Sequence, residues 1–176
     1  MGLDVTAYKQ LTKLDALFDA DGEPVNPATR EPYDSYFRAG VNHDFPGREE
    51  GLEDSAIYSY ADSMGGWSGG YGRYNHWRDD LAKLAGYPLG TYKQFGQDHP
   101  SYCAECWAGA KGPFSELINF TDCDGVIGPV VAAKLAKDFA EFDERAKAMG
   151  EDFYERYAEW RAVFEFAADN GAVDFH

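Results

Sequence analysis

Val131, Leu135, Phe139, Phe142, Ala146 and Met149 recur at spacings of 4, 4, 3, 4 and 3. This is one apolar stripe at the helical period. Pro129 stands where a helix accepts its first residue, and Gly150 where one ends. A second stripe follows in Phe153, Tyr157, Trp160 and Phe164, closed by Asn170-Gly171. The short separation predicts an antiparallel αα-hairpin. A third helix is predicted after Asn75, read as its N-cap, with Trp77, Leu81 and Leu84 on its inner face and Gly86 and Pro88 ending it.

The first half lacks that period. Val5 to Phe18 is mixed, Asp21-Gly22 signals a hairpin turn, and Pro24, Pro27 and Pro32 make a loop of the stretch around Val25–Tyr33. Tyr36–Val41 and Ala56–Tyr60 are short aromatic and β-branched runs that predict strands, with a turn at Asp44-Phe-Pro-Gly47 between them. Residues 87–113 read as irregular, with a short helix from Pro113 through Leu117 and Ile118. The sum is an α+β fold: N-terminal antiparallel strands and turns packed against C-terminal helices. No repeat or linker divides the chain, so residues 1–176 form one expected domain.

Between the two halves lies Ser63-Met-Gly-Gly-Trp-Ser-Gly-Gly-Tyr-Gly-Arg-Tyr-Asn-His-Trp-Arg78. It reads as a glycine-rich loop running into a helix N-terminus. Glycine permits close backbone approach, and a helix start offers unpaired N–H groups to an anion. Arg73 and Arg78 are suited to phosphate or carboxylate, and Trp67, Tyr71, Tyr74 and Trp77 to stacking. Trp67, Tyr71, Arg73, Tyr74, Asn75, Trp77 and Arg78 are therefore the expected ligand-binding residues. The segment matches neither the phosphate-cradling Gly-Lys-Ser/Thr loop nor a dinucleotide fingerprint. The competing reading is a tightly folded segment whose aromatics pack inward.

Charge narrows the partners. The net charge is −15, which opposes binding to nucleic-acid phosphates. Residues 138–176 carry eleven acidic against four basic side chains. That imbalance gives an alternative reading, an acidic inhibitor or adaptor acting on a host protein with a basic surface. No apolar run reaches membrane-spanning length and no leader pattern is visible, so a cytoplasmic protein with no membrane partner is expected. Met1-Gly-Leu-Asp-Val-Thr6 fits the loose myristoylation pattern but has no basic patch beside it.

Other chemistry is thinner. His99, Cys103, Cys106 and Cys123 have types that suit structural zinc, but a single Cys-x2-Cys is unspecific, and free thiols are the expectation, with no metal or cofactor. The same run resembles half of a zinc-deaminase motif, without its His-x-Glu. Asp19-Ala-Asp-Gly22 and Asp122-Cys-Asp-Gly125 read as turns, since a calcium loop would put Ala28 and Val131 where its last carboxylate belongs. Ser68, in Gly66-Trp-Ser-Gly-Gly70, falls in the predicted loop and not at a strand-to-helix elbow. His43 and His76 are the acid–base candidates, and an enzyme, if there is one, would use Tyr71, Arg73 and His76; the reading leans to a non-enzymatic protein.

The Met-Gly-Leu-Asp-Val-Thr-Ala-Tyr8 start, Asp44-Phe-Pro-Gly-Arg48, Tyr58-Ser-Tyr60, Gly70-Tyr-Gly-Arg-Tyr-Asn-His-Trp-Arg78 and the run from Ser115 to Pro129 resemble a group of uncharacterised phage and bacterial proteins. The resemblance spans most of the chain and brings no catalytic residues. It implies a small accessory protein of a phage or prophage, one that binds a host component or a small molecule.

Overall fold

The computed structural model describes residues 2–121 and 124–176. Met1, Asp122 and Cys123 lie outside them, and with them the predicted Asp122–Gly125 turn and one of the three cysteines. In chain order the elements are β1 (Gly2–Lys9), β2 (Thr12–Lys13), β3 (Leu17–Phe18), β4 (Pro24–Val25), β5 (Phe37–Arg38), β6 (Ile57–Ser59), β7 (Asp62–Gly70), α1 (Tyr71–Ala85), β8 (Gly90–Gln94), β9 (Gln97–Ser101), α2 (Ala104–Trp107), α3 (Ser115–Ile118), β10 (Gly125–Ile127), α4 (Pro129–Glu141), α5 (Asp143–Lys147), α6 (Glu151–Ala167) and β11 (Ala172–Phe175). The fold is α+β.

The main sheet is antiparallel with the order β10-β11-β1-β7. Alternation along its strands sorts two faces. Leu3, Val5, Ala7, Ile127, Val173 and Phe175 join the large core with the helices, while Val126 and Ala172 join a smaller cluster with Leu11, Phe37 and Tyr58. β5 and β6 carry that second cluster in a small sheet with β2. β3 and β4 form a hairpin around the Asp21-Gly22 turn, where Asp19 accepts from the N–H groups of Asp21 and Glu23, both at 2.9 Å.

α4 and α6 form the helical pair. The Tyr157 hydroxyl donates to the Phe139 carbonyl at 2.6 Å, and the Phe139 and Phe164 rings stack at 5.7 Å. The long stripe is not one helix: the chain breaks at Phe142 and resumes as α5. Phe142 and Ala146 nonetheless stay buried, because the break preserves the inner face.

Two further expectations are corrected, and one element is new. The glycine-rich segment is a strand up to Gly70, and α1 begins at Tyr71, so Asn75 lies inside the helix and does not cap it. Residues 87–113 contain the β8–β9 hairpin and α2. The tail after Asn170-Gly171 is β11, an interior strand of the main sheet. Among the described residues no helix is long and apolar enough to cross a membrane.

Candidate functional site

β7 is the terminal strand of its sheet. Asp4 pairs with Ser68 and Thr6 with Gly65, so Gly66 and Trp67 together oppose Val5. This is a β-bulge, a device that re-aims side chains. It turns Trp67 toward the helices, where the ring is 8% exposed. Two glycines make room for the packing. A Cβ on Gly66 would stand 2.7 Å from Val163 Cγ2, and one on Gly69 would stand 2.7 Å from the Trp67 ring.

Beside this strand lies a cavity of about 780 Å³. That is within the range of small-molecule sites. Met64 to Ser68 form one wall. α1 contributes Arg73, His76, Trp77 and Asp80, and α6 contributes Arg156, Glu159, Ala162 and Val163. The spacings of three, four and seven place each set on one helix face. Trp67 and Trp77 make the aromatic part of the wall. The fully buried Trp160 stacks against both, with centroids 6.0 and 6.2 Å away.

The charges of the wall are of both signs and unneutralised by direct contact. Arg73, Arg156 and Glu159 make no hydrogen bond or ion pair among the described residues. Burial pushes the Asp80 carboxyl up from its ordinary range, and the nearby charge of Arg156 opposes that shift. Ser68 lies on β7 two residues before the strand passes directly into α1, a strand-to-helix junction where a loop was expected; it shares the cavity with His76 and Asp80, and no hydrogen bond links it to His76.

Of the seven expected binding residues, Trp67, Arg73 and Trp77 line the cavity. The other four do not. Tyr74 is fully buried and donates to the Phe120 carbonyl at 2.8 Å. Arg78 is 2% exposed, donates to the Ile118 carbonyl at 2.8 Å and stacks its guanidinium on Tyr74 at 4.9 Å. Arg78 holds α1 to the end of α3, and Tyr74 holds it to the segment that follows. Asn75 is exposed and accepts from Arg78, and Tyr71 is half-buried against the core. The wall residues on α6 carry no signal in the sequence pattern that marks them as a site.

The remaining candidates lie elsewhere. Cys103 and Cys106 are buried in the core, and burial pushes the Cys103 thiol up to about 12 and the Cys106 thiol up as well. The ring of His99 packs beside Tyr92. Among the described residues no three His, Cys, Asp or Glu side chains form a metal-holding group; Cys123 lies outside them. His43 pairs with Asp54 at 3.4 Å on the surface. Compared with known proteins, the chain matches no family model, no curated protein and no solved structure.

Proposed function

We propose that the protein is a binding module whose ligand occupies the cavity between β7, α1 and α6. The ligand presents a flat or branched apolar body to Trp67, Trp77, Met64 and Val163 and an anionic group to Arg73 and Arg156. One observation carries this reading. In a chain of net charge −15, two guanidiniums stand unpaired beside two buried indoles at the rim of one cavity. Arg161 by contrast is held by Asp143 and Glu165; Arg30, Arg38 and Arg145 also make no ion pair among the described residues, so what marks Arg73 and Arg156 is that both stand in the lining of one cavity. A phosphate-bearing, nucleotide-like molecule and an aromatic carboxylate both answer this description. The setting that accompanies the reading is a cytoplasmic accessory protein of a phage or prophage.

Tryptophan fluorescence tests it directly, since Trp67 and Trp77 form the wall. Titration with adenosine 5′-monophosphate and with N-acetyl-L-phenylalanine is expected to quench or shift the emission. The response falls at least tenfold in affinity in Arg73→Ala and in Arg156→Ala, about 1.4 kcal/mol for each lost charge-assisted contact. Binding that is indifferent to both substitutions removes the reading.

The acidic-adaptor reading draws on α6. Glu151, Asp152 and Glu155 are exposed there and make no ion pair among the described residues. It requires a partner whose affinity falls steeply between low and physiological salt.

A further inference from the structure

We infer that the ligand group in this cavity is carried on an extended peptide segment of another protein, which adds as a strand to the free edge of β7. The inference rests on the cavity reading above and names the class of molecule that fills it. β7 is nine residues long and ends its sheet. From Met64 to Ser68 it makes no main-chain hydrogen bond other than those of its pairing with β1, among the described residues. These same five residues form the cavity wall. An unpaired row of N–H and C=O groups thus borders the cavity along its length.

Edges of this kind are normally blunted by charge, proline, shortness or cover. The opposite edge of the sheet, β10, is three residues long and buried. β7 is nine residues long, has no proline and carries charge only in Asp62 at its start; its bulge at Gly66–Trp67 is the one feature that interrupts the edge. Gly65 is exposed and has no side chain of its own to crowd an approaching backbone. Strand addition supplies affinity through main-chain hydrogen bonds, and side-chain pockets supply specificity. Here the pocket is the cavity, and Arg73 and Arg156 complement a peptide carboxylate, whether at a C-terminus or on Asp or Glu.

A second copy of this chain fits less well. The copy of β7 would bring only serine and glycine to the cavity, because Met64 and Trp67 are packed against their own core. Two chains of −15 also repel. The occupant therefore has a large apolar side chain and a carboxylate on an extended backbone.

A degenerate octapeptide pool with free C-termini, and the same pool C-amidated, are passed over the immobilised full chain, and retained peptides are sequenced by mass spectrometry. Peptides with an aromatic or β-branched residue and a carboxylate are expected. Loss of binding in the amidated pool assigns the carboxylate to the C-terminus; equal retention assigns it to Asp or Glu. The best peptide binds at least tenfold tighter than the N-acetyl form of its apolar residue. It loses at least tenfold when alternate amides are N-methylated, and it slows hydrogen exchange within Met64–Ser68. If the single N-acetyl residue binds as tightly and β7 exchange is unchanged, the peptide inference fails and the cavity reading stands. If neither pool nor either aromatic anion binds, both fail. If β7 is protected by concentration-dependent dimerisation in sedimentation, the second copy replaces the peptide.

Discussion

Gly65 and Gly66 are neighbours on one strand, yet the same added methyl group should do opposite things to them. Gly66 sits in the bulge under α6, where a Cβ meets Val163 Cγ2 at 2.7 Å and the Val5 carbonyl oxygen at 3.2 Å. Neither partner gives way easily: one is a β-branched side chain on a helix and the other is backbone. Overpacking of this kind costs about 1–3 kcal/mol. At Gly65 the Cβ meets nothing within 4 Å. Its φ is outside the left-handed region, so alanine restricts the unfolded chain and gains about 0.4–1 kcal/mol. The entropic gain is common to both alanines, so Gly66→Ala should be about 1–3 kcal/mol less stable than Gly65→Ala, a Tm gap of roughly 2–12 °C for a chain of this length. Val163→Ala removes the clashing methyl. Alone it costs about 1.5 kcal/mol for two buried methyls, but in the double variant with Gly66→Ala it should recover part of the loss, with a coupling of about 1 kcal/mol. Urea denaturation followed by tryptophan fluorescence measures all four proteins. Equal stability of the two glycine variants, or strict additivity of Gly66→Ala and Val163→Ala, would refute the bulge packing and with it the placement of the cavity wall.

Burial raises the Asp174 carboxyl to about 6, with His176 opposing and Asp124 adding to the shift. A raised acid stabilises the fold only while protonated, so its contribution is intact below about pH 4 and is lost as pH rises through 6, at most about 3 kcal/mol. Asp174→Asn should accordingly raise Tm above pH 6, and the gap to the parent should close by pH 4; a pH-independent gap contradicts the assignment. In a Cys123→Ser background, Cys103 and Cys106 should react with a thiol reagent at pH 8 only when denaturant is added, because both are buried with raised thiols. Rapid labelling of the native protein would place them outside the core. Tyr157→Phe leaves the buried Phe139 carbonyl without its donor and should cost about 1–2 kcal/mol in chemical denaturation, where a neutral result would mean the 2.6 Å bond is not formed.

The helical half is legible in the sequence because its stripes follow the helical period, and buried Phe139, Phe153, Tyr157, Trp160 and Phe164 stand where that period puts them. The break at Phe142 is not legible, since a break that keeps the inner face leaves no mark on apolar spacing. β11 is hidden for another reason. It is four residues long and is held by partners far away in sequence, Val5–Tyr8 on one side and Gly125–Ile127 on the other. Its entry also requires Gly171, where a Cβ would lie 1.9 Å from the Tyr8 carbonyl oxygen. β8–β9 escapes because its turn is Phe95-Gly96, with both residues at positive φ, where Asn-Gly would have signalled a hairpin. β7 resembles a loop for its glycines, which have low strand propensity. At Gly66 and Gly69, close approach by Val163 and Trp67 takes the place of the missing side chains.

The candidate site divides along a sharper line. Residue type selects Arg73 and Arg78 equally, and Trp67, Tyr74 and Trp77 equally, but type says nothing of direction. Helix phase does. Trp77, Leu81 and Leu84 define the inner face of α1, and Tyr74 and Arg78 fall in phase with them. Arg73, His76 and Asp80 fall at its flank, beside Trp77, which is where the cavity opens. This phase is a property of the sequence alone, and it separates the structural arginine from the free one. The other wall has no such signature. Arg156, Glu159, Ala162 and Val163 meet α1 only because Trp77, Trp160 and Trp67 stack into one column that draws α1, α6 and β7 together. The cavity is the space left beside that column, so its existence depends on tertiary packing, while its chemistry is partly written in the order of Arg73, His76, Trp77 and Asp80.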